Sequence, residues 1–339
     1  MSNQYEESGL TAAYDYGLPQ ERIARVPAEP RSSARLLVDL GTSIADSTVA
    51  DLARWLRPGD LVVVNDTRVV PARIHLTRGS GGRVEVLLLG RSENGMEALL
   101  KPGRRLKPGE ELFIGEAAAL RVMDVVGDPS NSAARLVEVL DEEALAAAGE
   151  VPLPPYLKGV SVPMERYQTI YARRPGSVAA PTAGLHLDRP VLEGLQQAGV
   201  RVVAIDLQVG MGTFAPVKVE RLDDHEMHSE RYEVSRETWE AVVGAERVVA
   251  IGTTVVRTLE TVALTGELMG ESALFIRPGF DFRVVDLLLT NFHVPRSTLL
   301  ALVAAAIGGR WRELYRHAID HDYRFLSFGD CMLVPVGRP

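Results

Sequence analysis

The chain has 339 residues, 37 Lys and Arg against 45 Asp and Glu, a net charge of −8 and 46% hydrophobic residues. That length suits two domains and that apolar content suits packed cores, which excludes a disordered chain. The one cysteine, Cys331, permits neither an internal disulfide nor a thiolate zinc cage, and there is no long apolar run or apolar N-terminal leader. A cytoplasmic protein with no membrane partner is expected.

Pro19, Pro27 and Pro30 keep the N-terminal stretch from forming a long helix, so it reads as irregular. Ser47 and Thr48 are expected to cap a short helix, VADLARWL, that Pro58 and Gly59 end. LVVVN at 61–65 is a continuous apolar, β-branched run, the pattern of a strand buried on both faces. The texture then changes to short alternating runs, ARIHL, GRVEVLLL, EALLK, EELFIG, ALRVMDVV and ARLVEVL, separated by Gly, Pro and Asn turn signals. Such spacing predicts a small antiparallel β-barrel, placed as an insertion over 68–152. Between 66 and 111 there are nine basic and six acidic residues in a chain that is acidic overall. Arg68, Arg73, Lys101, Arg104, Arg105 and Lys107 are therefore the candidate contacts to nucleic-acid phosphates, or else a solvated charged face. VPLPPY is too rich in proline to be helical and reads as the return linker.

After it, strand and helix patterns alternate to the end: GLHLDRPVLEGLQQAGV, a helix ending at Gly199, then RVVAIDLQV, SRETWEAVVGAE, RVVAIGTT, VVRTLETVALTG, RVVDLLLTNF, STLLALVAAAIGG and RWRELYRHAIDH. The expected fold class is α/β (α+β multidomain): an α/β sandwich domain from 1–67 and 153–339, carrying the inserted barrel. Functional loops are expected at the carboxyl ends of its strands.

Polar clusters fall at those ends. Thr182 and His186 stand in APTAGLH, where a helix start offers free N–H groups, a hydroxyl and an imidazole, or where Thr182 merely caps. Gly210, Gly212 and Thr213 lie in VGMGTF, where glycines let a ligand approach the backbone or make a tight turn. His225 and His228 stand among acidic residues, suited to proton transfer or to a metal if they share a helical face. Thr253, Thr254 and Arg257 form a helix start suited to a carboxylate or phosphate, or Arg257 pairs with Glu260 one turn on. Asn291, His293 and Arg296 sit between two apolar runs, a placement that folding alone does not demand. There is no GxSxG elbow and no P-loop lysine.

NDTRVVPARI, GGRVEVLLL, LKPGRRLKPG, VPLPPY, ERYQTIYA, SVAAPTAGLH, VGMGTF, HEMHSERYEV, AIGTTVVRTLE, TNFHVPRSTLL and YRFLSFGDCML follow one another in a single order. In that order they resemble the S-adenosylmethionine:tRNA ribosyltransferase-isomerase family of queuosine biosynthesis, along nearly the whole chain. The resemblance implies transfer of the ribosyl part of S-adenosylmethionine to the aminomethyl group of a 7-deazaguanine at the tRNA wobble position. Epoxyqueuosine, adenine and methionine are the products. S-adenosylmethionine is a consumed substrate, no further cofactor and no metal is expected, and the partner is tRNA through its anticodon arm, bound by a monomer. A base must remove a proton beside the sulfonium and an acid must assist departure of adenine, with His186, His225, His228 and His293 as candidates. Thr182, Gly210, Gly212, Thr213, Thr253, Thr254, Arg257, Asn291, Arg296, Ser327 and Asp330 are the implied substrate-binding positions. Gln208 departs from the family pattern, which has His there. Transfer to a small-molecule amine and RNA binding without turnover are the other readings of the same motifs.

Overall fold

The computed structural model describes residues 9–41, 43–92, 95–126, 134–157, 159–160, 162–210 and 216–337, without the side chains of 91, 92 and 104. The chain opens with strands β1 (Arg35–Asp39), β2 (Ile44–Thr48) and β3 (Leu61–Asn65). It then passes through β4 (Thr67–Val69) into β5 (Arg73–Arg78), β6 (Arg83–Ser92), β7 (Gly95–Lys101), β8 (Glu111–Ile114), β9 (Ala117–Val125) and β10 (Ala134–Val139). Helix α1 (Glu142–Ala148) and β11 (Arg174–Ser177) follow. The remainder comprises α2 (Arg189–Gln197), β12 (Arg201–Leu207), β13 (Glu230–Glu233), α3 (Arg236–Val243), β14 (Val248–Ile251) and α4 (Thr253–Thr265). It closes with β15 (Met269–Ser272), β16 (Leu287–Asn291), α5 (Thr298–Ile307), α6 (Trp311–Asp320) and β17 (Cys331–Pro335). By contacts the chain divides into one unit of residues 1–68, 157–174 and 180–339 and a second of 69–156 and 175–179.

The first unit is built on a nine-stranded sheet in the order β15-β13-β12-β3-β14-β16-β17-β1-β2. Its centre, β12-β3-β14-β16, is parallel. β3, β14 and β16 are buried at every residue, as continuous apolar runs covered on both faces must be. One face, carrying Val62, Val64, Val249, Ile251, Leu287 and Leu289, packs on Leu52, Val191 and Leu195 from the turn 49–55 and α2. α4 packs on β3, β12 and β14 and is buried continuously from Thr253 to Val262, so it carries no solvent-facing stripe there. Caps match the sequence: Asp188 accepts from Val191 N at the start of α2, and Ser297 from Leu300 N at the start of α5.

The second unit is a closed barrel in the order β10-β7-β6-β5-β8-β9, antiparallel throughout. Inward residues such as Ile74, Leu76, Val84, Val86, Leu112 and Val122 fill it, as period-two alternation requires. The expected fold class is borne out.

Three local expectations are corrected. VADLARWL is a 3-10 turn, Val49–Trp55, because the Thr48 hydroxyl goes to the Asp51 carboxylate at 3.0 Å and caps no backbone N–H. The helix expected through 184–199 begins only at Arg189, since Thr182–His186 is a separate 3-10 turn ahead of the Asp188 cap. Within the N-terminal stretch read as irregular, Arg35–Asp39 is a strand held between β17 and β2.

Candidate functional site at the carboxyl ends of the parallel strands

β12, β3, β14 and β16 all end at one rim, where Gln208, Asp66, Gly252 and Phe292 follow them. Successive side chains on a strand face opposite ways, and this divides the polar residues there into two groups.

On the α2 side, Asn291 continues the face of Leu287 and Leu289. Its Nδ2 lies 2.9 Å from His186 Nε2, 3.2 Å from Leu326 O and 3.4 Å from Asp330 O, and its Oδ1 accepts from the Thr182 hydroxyl at 3.0 Å. Two carbonyls beside Nδ2 leave no alternative amide orientation, so Asn291 donates to Nε2 and the His186 proton resides on Nδ1. Burial, with Arg324 and Arg31 adding to it, lowers the His186 pKa to about 4. The ring is therefore neutral at pH 7, with Nδ1–H as its remaining donor. His186 lines a small hollow with Ser327, Phe328, Leu185, Arg31 and Arg166. An open cavity of 390 Å³ adjoins it along Pro27 and Ala28 and is lined by Arg35, Arg324 and Asp330.

Arg31 donates to Leu185 O at 3.1 Å and Glu165 O at 2.7 Å, so the segment after Pro30 is tied over the turn that presents His186. Asp330, 1% exposed, accepts from Arg35 N at 2.9 Å and Arg324 N at 2.7 Å. Its carboxylate thereby fixes the two cavity arginines.

On the opposite face lie Thr290 and His293, whose Nε2 is 2.9 Å from the Thr290 hydroxyl. Burial lowers the His293 pKa to about 3. Asn291 and Thr290 are neighbours in one strand, so His186 and His293 are held on opposite sides of the sheet. Arg257 does not pair with Glu260. Its guanidinium meets the Glu230 carboxylate, both buried, and donates to Leu274 O and Ser272 O at 3.1 Å each. Glu230 in turn accepts from Gly210 N at 2.8 Å. Glu260 accepts the amides of Arg283, Val284 and Val285 at 2.8–3.1 Å.

Thr253 and Thr254 open α4 behind Gly252, whose φ of +96° is the left-handed region that favours glycine. The Thr254 hydroxyl is buried without a hydrogen bond among the described residues. Arg296 is apart from these groups, on the surface against Asp15 at 2.8 Å. His225 and His228 sit in an irregular stretch ahead of β13, so no helix gives them a shared face. Gly212 and Thr213 lie outside the described residues. The Cys331 thiol is pushed up by burial and by Asp330, which makes it no nucleophile.

In the barrel, Lys101 at the end of β7 and Arg105 and Lys107 in the connection to β8 are exposed, while the side chain of Arg104 lies outside the described residues. Arg73 is committed to Leu153 O at 3.2 Å. Arg68 is exposed on β4.

Sequence reasoning passed over Asp66, Tyr171 and Asp206. Among the described residues, Asp66 Oδ1, Asp206 Oδ1 and the Tyr171 hydroxyl are buried without a hydrogen-bond partner, which is rare for buried polar atoms. An acidic residue inside RVVAIDLQV was the available signal.

The model of the family described as queuosine biosynthesis protein matches residues 11–334. The S-adenosylmethionine:tRNA ribosyltransferase-isomerase of Rubrobacter xylanophilus is 51% identical over 331 residues, spanning 96% of this chain and 98% of that protein. The enzyme of the same name from Thermus thermophilus is 47% identical over 350 residues, spanning 95% and 98%. The crystal structure of an S-adenosylmethionine tRNA ribosyltransferase from Thermotoga maritima is similar with a TM-score of 0.54 and 35% identity, covering 95% of this chain and 99% of that one. The resemblance carried by the ordered motifs is borne out: the chain belongs to the queuosine biosynthesis family, that of the S-adenosylmethionine:tRNA ribosyltransferase-isomerases.

Proposed function

We propose that this enzyme transfers the ribosyl part of S-adenosylmethionine to the 7-aminomethyl-7-deazaguanine wobble base of tRNA, giving epoxyqueuosine and releasing adenine and methionine. The observation that carries the reading is the convergence, at one rim of the sheet, of His186, Asn291, Asp66, Asp206 and Tyr171 with open hollows and unsatisfied polar atoms. A polar nucleoside can fill such groups, and burial strengthens each contact it makes.

His186, neutral and fixed as the Nδ1–H tautomer, serves as a hydrogen-bond donor towards the departing base rather than as a strong base. Thr253 and Thr254 offer hydroxyls and helix N–H groups to the methionine carboxylate. Arg257 supports that end indirectly, holding Glu230 and through it the start of the glycine loop.

The test is incubation of the pure protein with S-adenosylmethionine and tRNA carrying the aminomethyl base, followed by chromatography of adenine and methionine and mass analysis of the tRNA nucleosides. Release that requires the tRNA, with the mass gain of epoxyqueuosine, supports the reading. Release with a free amine alone, or tRNA binding without release, overturns it.

The exposed barrel cations are assigned to tRNA phosphates. Changing Lys101, Arg105 and Lys107 together to Ala should weaken tRNA binding and flatten the slope of log K against log salt by about 2 to 3, leaving S-adenosylmethionine affinity unchanged. Filter binding at several salt concentrations reads this, and an unaltered slope removes the assignment.

A further inference from the structure

Asp206 stands inside an otherwise apolar strand, and Asp66 extends the neighbouring parallel strand one residue beyond its end. Ile205 is in register with Asn65, and Asp66 N donates to Ile205 O at 2.9 Å. The two carboxyl groups therefore project from adjacent strands, backbones about 5 Å apart, on one face. Asp66 is 6% exposed and Asp206 7%, and in each the Oδ1 atom has no hydrogen bond among the described residues.

The charged groups around them do not balance. Glu233, directly across from Asp206 on β13, adds a third carboxyl. Against these stand Arg174, 3.8 Å from Asp66 Oδ1 and 3.3 Å from Glu233 Oε1, and Arg173. Among the described residues, three carboxyl groups thus face two guanidinium groups, one negative charge more than positive. The Thr67 hydroxyl bonds Asp206.

An independent mark comes from Tyr171, which is not acidic. Its hydroxyl oxygen is buried without a partner among the described residues and lies within electrostatic reach of Asp66 and Arg31. It presses so closely on the turn before His186 that a Cβ at Gly184 would stand 2.3 Å from it. Unfilled acceptors and one surplus negative charge fit a small ligand head with one positive charge and several N–H donors. A primary ammonium has one charge and three donors.

We propose that Asp66 and Asp206 receive the primary ammonium of the acceptor and take one of its protons, which rests on the transferase reading above. The step moves a proton from nitrogen to a carboxylate oxygen: R–CH2–NH3+ and a carboxylate become R–CH2–NH2 and a carboxylic acid. The nitrogen lone pair is then free for the bond to the ribosyl carbon. Burial holds both carboxyl groups above their ordinary range against the opposing pull of Arg174, and this makes the pair a stronger proton acceptor than an exposed carboxylate.

The experiment compares two anticodon stem-loop RNAs, bearing 7-aminomethyl- or 7-methyl-7-deazaguanine at the wobble position, for binding to the full protein and to Asp206→Asn and Asp66→Asn. The protein should bind the amine at least tenfold more tightly, and each variant should bring the ratio within twofold while its thermal midpoint stays near that of the parent. Equal binding of both RNAs by the parent protein, or variants that keep the preference, overturns the proposal. Adenine release is scored separately: preference without release discards the transferase reading and keeps the amine site, and release without preference does the reverse.

Discussion

Replacing Asn291 with Asp is expected to lower the rate of adenine release by roughly a thousandfold with little change in the affinity for tRNA, because the substitution keeps the shape and reverses the hydrogen bond. Asn291 donates to His186 Nε2. A carboxylate cannot donate, so Nε2 must carry the proton and Nδ1 loses the hydrogen it presents to the hollow. The carboxylate also raises the imidazole pKa from about 4, because it stabilises positive charge on the ring. Nitrogen-15 chemical shifts of His186 read the tautomer independently of turnover. A variant with the reversed tautomer and undiminished release would remove His186 from the chemistry.

The second large effect is on stability in acid. His186 and His293 have folded-state pKa values of about 4 and about 3, both below the ordinary 6.5. Between pH 6.5 and 4.5 the unfolded chain therefore binds protons that the folded chain refuses, and stability falls as pH falls. Two groups across about two units correspond to about 5 kcal/mol. Asp66 and Asp206, held above their ordinary values, act in the opposite sense. The His293→Asn variant isolates the imidazole contribution: its loss of stability over the same window, measured by urea unfolding, should be smaller by about half of that amount. Parallel losses for variant and parent would show that His293 is protonated in the folded protein.

Much of the architecture was legible because periodicity is a local property. The alternation of ARIHL, GRVEVLLL and their successors specifies strands with one inward face, and the observed strands β5 to β10 fall on those runs. The apolar runs around Val62, Val249 and Leu288 specify strands covered on both sides. β1 was missed because RLLVD is short and follows a proline-rich stretch, and its strand state comes from pairing with β17, almost 300 residues away.

The site was legible as a set of loops and not as a geometry. Asn291 and His293 are two residues apart, yet the asparagine joins His186 on one face and the histidine joins Thr290 on the other. Only the turn after β16 decides that. Arg257 had Glu260 one turn away on its own helix, but the partner that holds it, Glu230, comes from β13. Asp66 and Asp206 become a pair only through the parallel register of β3 and β12, which no local spacing announces.

A structure of the protein with S-adenosylmethionine bound tests the central claim most directly. The sulfonium nucleoside is expected at the carboxyl ends of β12, β3, β14 and β16, with its polar atoms on His186 or Thr254. A nucleoside seated elsewhere, with those groups still unfilled, would contradict it.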